Sequence, residues 1–251
     1  MNNLRPRIIP TLLMENNRLV KTVKFKNPNY IGDPINAVKI FNDKEVDELI
    51  FLDIGCSKKH TSINYNLLDK IASQSFMPLC YGGGIKTFEE ASKIFELGFE
   101  KISLNSVLFE KPSLLTELSQ SYGSQSIVAS VDVKKNLFGK LKVYNGSKNN
   151  SINDKILDYV KNLENLGAGE LLINSVDLEG TYKGYNLSLI NELSNALTIP
   201  LIALGGASST KDFKDALQAG ASACAAGSLF VYYGVNKAVL INYPTDFINE
   251  L

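Results

Sequence analysis

The stretches PLCYGGG at residues 78–84 and PLIALGG at residues 200–206 decide the fold. Each reads as a short apolar strand that a proline opens and paired glycines close. From 78 to 200 and from 83 to 205 the step is the same 122 residues, and it also carries Glu48 onto Glu170, Gly98 onto Gly220 and Ser106 onto Ser228. Several separate elements repeated at one offset imply two homologous halves. Outward from these stretches lie further apolar, β-rich runs, giving candidate strands at 7–13, 48–54, 78–82, 101–105, 127–132, 170–175, 200–204 and 223–227. One such run per roughly thirty residues is the length of a βα repeat. The expected fold is α/β, a single (β/α)8 barrel over 1–251 built from half-barrels of about 1–122 and 123–251. An open doubly wound sheet is the structural alternative.

The intervening stretches carry helical patterns. Ile152, Ile156, Val160, Leu163 and Leu166 make one apolar stripe at 3-and-4 spacing. Asp33-Pro34 and Lys111-Pro112-Ser113 are helix starts, and Gly98, Gly123, Gly167 and Gly220 stand where helices should stop. The chain carries 26 basic and 26 acidic side chains, so a protein-wide surface built for a polyanion is not expected and neither is a nucleic-acid partner. The first residues hold Arg5, Pro6 and Arg7 but no apolar signal core, and no window approaches the ~18 uninterrupted apolar residues of a membrane span. A cytoplasmic protein with no membrane partner is expected. Cys56, Cys80 and Cys224 form no CxxC pair and read as reduced small hydrophobes. His60 is the only histidine, so triads and histidine metal sites lack material. No metal or organic cofactor is expected, and acid/base work falls to carboxylates or lysines.

Each half supplies glycines after its third strand, Gly82-Gly83-Gly84 and Gly205-Gly206, and a small polar residue after its fourth, Asn105-Ser106 and Gly227-Ser228. Glycines let backbone N–H groups approach an anion, and a helix start beyond them adds a favourable dipole. Two phosphate sites on opposite sides of one barrel mouth are therefore expected, with plain tight turns as the alternative. Barrel chemistry sits at the C-terminal strand ends. Asp132 closes the run IVASVDV there, whereas the corresponding first-half run RIIPTLLM puts Leu13 opposite it. Lys21, Asp53, Asp177, Glu179 and Thr181 are further polar residues near that face, with capping or loop fixing equally open to Asp53 and Asp177. At the other end Arg7, Glu48, Lys101 and Glu170 fall at strand starts in a balanced ring, which on charge alone reads as a stabilising plug.

The segments DELIFLDIG, YGGGI, KISLNS, YGSQSIVASVDVK, GAGELLINSVDLEGT and IALGGAS, in this order along nearly the whole chain, resemble the cyclase subunit of imidazole glycerol phosphate synthase. The resemblance implies a lyase-type subunit with a glutaminase partner. Its bisphosphorylated ribulosyl aminoimidazole-carboxamide substrate spans both phosphate sites, and ammonia enters through the barrel floor. Two aspartates ending strands one and five do the acid/base work. Position by position, Asp132 matches the strand-five aspartate. Gly83, Gly84, Ser106, Gly205, Gly206 and Ser228 match the phosphate loops, and Lys21 the lysine after strand one. Arg7, Glu48, Lys101 and Glu170 match a salt-bridged ammonia gate, which replaces the plug reading.

The departure is Leu13, where the family has its other aspartate, flanked here by Thr11, Glu15, Asn16 and Asn17. A general acid/base contributes about 10² to 10⁴ in rate, and leucine exchanges no proton. Glu15 is expected in the following loop rather than at the strand tip. An intact floor under an altered mouth implies ammonia that is still received but used differently. That pattern is similar to a divergent paralogue branch acting beside a glutaminase and a sugar amidotransferase in acetamidino modification of surface-polysaccharide or glycan sugars. The alternatives are a true histidine-biosynthesis cyclase, making imidazole glycerol phosphate and aminoimidazole carboxamide ribotide, and a non-catalytic activator of the glutaminase.

Overall fold

The computed structural model describes residues 5–59, 61–245 and 247; His60 and the first four residues lie outside them. All eight expected runs form strands: β1 (Arg7–Glu15), β2 (Leu49–Asp53), β3 (Leu79–Gly82), β4 (Lys101–Leu104), β5 (Ile127–Lys135), β6 (Glu170–Ser175), β7 (Leu201–Leu204) and β8 (Ala223–Ala226). Each pairs in parallel with the next, and β8 returns to β1 through Arg7↔Ala223 to Pro10↔Ala226. The sheet is closed, which makes a (β/α)8 barrel and rules out the open doubly wound alternative.

Period-2 alternation splits the apolar residues into two layers. Ile9, Ile50, Cys80, Val128, Leu172 and Ile202 fill the lumen, while Ile8, Phe51, Ile102, Ala129 and Leu171 face the surrounding helices. Those helices are α1 (Pro34–Asp43), α2 (Tyr65–Ala72), α3 (Phe88–Glu96), α4 (Ser113–Tyr122), α5 (Ile156–Asn165), α6 (Leu187–Ser194) and α7 (Thr210–Gln218). Local chemistry sets their starts. Asp33 Oδ1 accepts from the N–H groups of Ile35 and Asn36 at 3.0 Å, with Pro34 in the first turn, where its missing N–H costs nothing. Thr87 and Glu90 form a reciprocal capping box on α3. Among the described residues no helix is long and apolar enough to cross a membrane.

Three excursions depart from the sequence expectation. β1 runs past Leu13 to Glu15, and Asn16 and Asn17, with φ of 51° and 63°, turn the chain into an antiparallel pair, Arg18–Val23 with Lys26–Gly32. Asparagine tolerates this left-handed backbone, and two successive such residues are what a tight hairpin needs. Glu15 is therefore the last residue of β1, paired with Arg18, and not a loop residue. β5 likewise continues to Lys135 and folds back through Leu141–Asn145. The helix after it starts at Ile156, because Ile152 donates its N–H to Val143 O as part of that sheet extension. Among the described residues β8 is followed by a one-turn helix, Ser228–Val231, and a small hairpin, Tyr232–Tyr233 with Ala238–Val239.

Candidate functional site

A cavity of about 490 Å³ opens at the C-terminal ends of the strands. All the expected anion-loop residues line it: Gly83, Gly84, Asn105 and Ser106 from one half, Gly205, Gly206, Gly227 and Ser228 from the other. The glycines have a structural reason besides any anion. At Gly206, with φ of +110°, a Cβ would lie 2.1 Å from Gly184 O, so the turn alone excludes a side chain. At Gly227 a Cβ would lie 2.2 Å from Lys21 Nζ, so this glycine makes the space that the ammonium fills.

Asp132 and Leu13 both line the cavity, from β5 and β1. Asp132 is buried and accepts from Asn105 Nδ2 at 3.0 Å and Asn174 Nδ2 at 2.9 Å, which holds its carboxyl group in one orientation. Leu13 is 8% exposed and pairs with Leu52 on β2 and Val20 of the hairpin, so the β1 side of the mouth is apolar. Glu15 is not among the lining residues. Thr11 Oγ1 and Ser103 Oγ lie below the mouth; both are buried, line the cavity and have no hydrogen-bond partner among the described residues.

Lys21 is brought over the cavity by the hairpin and is 5% exposed, with Nζ 3.6 Å from Glu179 Oε1. Burial lowers its pKa from the ordinary lysine value, and the attraction of Glu179 offsets only part of that penalty. Glu179 also accepts from Thr22 Oγ1 at 3.1 Å and from Phe25 N at 3.4 Å, while its backbone oxygen accepts from Lys24 N at 3.0 Å. One residue of the loop after β6 thus fastens the hairpin at four points. Asp53 lines the cavity but spends Oδ1 on the N–H groups of Gly55 at 2.9 Å and Cys56 at 3.1 Å, at the start of the short helix Ile54–Lys59. Asp177 and Thr181 are not brought to the cavity. Asp177 accepts from Lys135 N at 2.7 Å, and Thr181 Oγ1 donates to Leu178 O at 2.7 Å.

Lining residues not anticipated from the sequence include Asn174, which holds Asp132, and Phe25, Lys86, Glu110, Lys111 and Lys148. Lys86 directly follows the YGGGI segment and is legible there. Lys148 arrives on the β5 excursion, whose folding back no local pattern signals. Among the described residues, no cluster of three or more His, Cys, Asp or Glu side chains is arranged to hold a metal ion.

At the opposite end the four charged residues form a closed ring. Arg7 pairs with Glu48 and, at 2.6 Å, with Glu170; Lys101 Nζ reaches both carboxylates at 3.0 Å. Burial works against the Arg7 charge, but attraction to Glu170 and Glu48 outweighs it and its pKa is raised. Above the ring the lumen is apolar, including Cys80, whose thiol burial keeps firmly protonated. The molecule therefore has a charged constriction at one end, an apolar core in the middle and an anion-suited cavity at the other.

The chain matches the family model for "Histidine biosynthesis protein" over residues 7–236. It is 49% identical over 246 residues to a Vibrio vulnificus protein named as a candidate imidazole glycerol phosphate synthase subunit hisF3, covering 96% of this chain and 94% of that one. It is 46% identical over 249 residues to a Pseudomonas aeruginosa protein named as a candidate subunit hisF2, covering 99% and 98%. The imidazole glycerol phosphate synthase subunit HisF of Petrotoga mobilis is 40% identical over 238 residues, covering 94% and 93%.

Proposed function

The chain belongs to the histidine biosynthesis protein family, among its HisF-type cyclase subunits, and from that premise we propose that it conducts ammonia from a glutaminase subunit for acetamidino modification of surface-polysaccharide or glycan sugars. The observation that carries this reading is the pairing of a complete floor ring with Leu13 at the mouth. Identity is higher to the proteins named only as candidate subunits, unnumbered ones among them, than to the Petrotoga HisF, which supports a paralogue role.

In this role the ring handles a neutral molecule. The ring is charge-balanced, Arg7 and Lys101 each being paired with Glu48 and Glu170, and the layer of Ile9, Ile50, Val128, Leu172 and Ile202 above it offers a cation no solvation. Neutral ammonia does not meet that penalty. Thr11 Oγ1 and Ser103 Oγ then provide hydroxyls to which it can hydrogen-bond on reaching the cavity. At the mouth, Asp132 is positioned to exchange a proton, and the glycine loops with Lys21 favour a phosphorylated ligand. Leu13 offers nothing for the second proton transfer of imidazole ring closure. The alternative, a true histidine-pathway cyclase, rests on the retained Asp132 and both glycine loops.

The test is nitrogen transfer in the reconstituted complex with the glutaminase. Lys101→Ala should leave glutamine hydrolysis measurable while nitrogen transfer from glutamine to the sugar acceptor falls at least about tenfold, with transfer from added ammonium preserved. Unchanged coupling in Lys101→Ala would remove the floor ring from the ammonia route.

A further inference from the structure

Past Asp132, β5 leaves the barrel as a hairpin whose tip exposes Leu137 (102%) and Phe138 (88%) side by side. Leaving two adjacent large apolar side chains in water forfeits their burial free energy, and the backbone beneath them is tightly organised. Asn136 N donates to Lys140 O at 2.8 Å, Gly139 N donates to Asn136 O at 2.9 Å, and Asn136 Oδ1 accepts from the N–H groups of Phe138 and Lys140 at 3.0 Å. Asp177 braces the base through Lys135 N. Between Asp132 and Asp154 the chain has Lys134, Lys135, Lys140, Lys142 and Lys148 but no Asp or Glu. Three of these lysines are held in place. Lys134 Nζ lies 4.5 Å from the Tyr144 ring centroid, Lys142 Nζ donates to Asn153 O at 3.1 Å, and Lys148 Nζ meets Glu110 at 2.9 Å. The same excursion lines the cavity through Gly146, Ser147 and Lys148, so the tip belongs to an element on the cavity rim.

We propose that Leu137 and Phe138 anchor a second protein whose facing surface is an apolar pocket bordered by carboxylates, and that this protein brings the ammonia acceptor to the cavity. The assignment rests on the reading above, in which ammonia leaves the barrel for an acceptor that this chain does not transform. Preorganised apolar anchors lose little entropy on docking and concentrate binding energy at a few side chains. Lys134 and Lys142 in fixed positions, with Lys135 and Lys140 flanking the tip in sequence, form a directional pattern that favours an acidic protein surface over a bilayer, which responds mainly to total charge and inserted apolar area.

The test compares the full chain with a Leu137→Ser/Phe138→Ser variant in equilibrium binding to the purified sugar amidotransferase and to vesicles of phosphatidylglycerol. The expected result is salt-sensitive binding of the amidotransferase by the unsubstituted chain, weakened at least about tenfold in the variant. Both side chains stand in water, so the variant should unfold at the same denaturant concentration as the parent, and a loss of binding then reports the docking interaction. Equal binding by both chains, no binding by the unsubstituted chain, or tip-dependent binding to vesicles alone overturns the assignment. Turnover of the bisphosphate substrate decides the underlying reading separately, because neither side chain lines the cavity. A chain that neither turns over the bisphosphate nor binds the amidotransferase loses only the docking assignment, whereas turnover at ordinary enzyme rates removes the reading itself.

Discussion

The β1 and β5 sides of the cavity wall differ in character. Leu13 packs between Leu52 and Val20, so the β1 side of the mouth is apolar while Asp132 on β5 is held by two amides. Lys21 adds a titratable group whose behaviour can be predicted with its sign. Its folded pKa is lowered by burial, so between that value and the ordinary 10.5 the unfolded chain holds a proton that the folded chain has released. Stability contributed at this site therefore rises with pH across that window and is constant above it. Denaturant unfolding of the chain and of Lys21→Met at a series of alkaline pH values should show the difference moving in favour of the unsubstituted chain as pH rises through the window. A difference independent of pH would mean that Lys21 is not desolvated as described. Asp132, Leu13 and Lys21 are all legible in the sequence, because each sits at or just after a strand end that the apolar runs locate. Strand-end logic also puts Asp177 and Thr181 near the mouth; Asp177 instead takes the loop-fixing role the sequence left open, accepting from Lys135 N, and Thr181 serves the backbone of Leu178.

Among the elements, the barrel strands follow from sequence because buried parallel strands are continuous apolar runs, and a repeat at fixed offset marks where each begins. The hairpins over the mouth do not. Asn16-Asn17 is a turn signal, but where the strands around it lie depends on Glu179, with Thr22 and Glu179 lying 157 residues apart in sequence. That dependence makes the latch testable. Glu179→Ala removes the Thr22 and Phe25 hydrogen bonds and the Lys21 ion pair together. At roughly 1 kcal/mol or more for each buried hydrogen bond or ion pair removed, amide hydrogen exchange across the hairpin 18–32 should accelerate at least about tenfold. Exchange in β2 to β7 should be unchanged; uniform acceleration throughout the barrel would mean that Glu179 supports the whole fold rather than one element.

For the whole molecule, closure of eight parallel strands separates a floor from a mouth and lets the two ends change independently. The floor carries Arg7, Glu48, Lys101 and Glu170 in mutual contact, although each comes from a different strand or strand approach, and the ring's charge balance is visible in the sequence before its closure is. The mouth keeps both glycine loops and Asp132 but presents Leu13 and an exposed apolar tip. In the proposed function, the floor receives ammonia and the mouth passes it on. The most direct test supplies the purified chain with ammonium salt at alkaline pH and the bisphosphorylated ribulosyl aminoimidazole-carboxamide substrate, beside a Leu13→Asp variant. The unsubstituted chain should show no turnover near the ordinary enzyme range of about 1 to 10³ per second, and Leu13→Asp should show a gain. Turnover in that range by the unsubstituted chain would contradict the proposed function and make the protein a cyclase in which another group does the work of the missing aspartate.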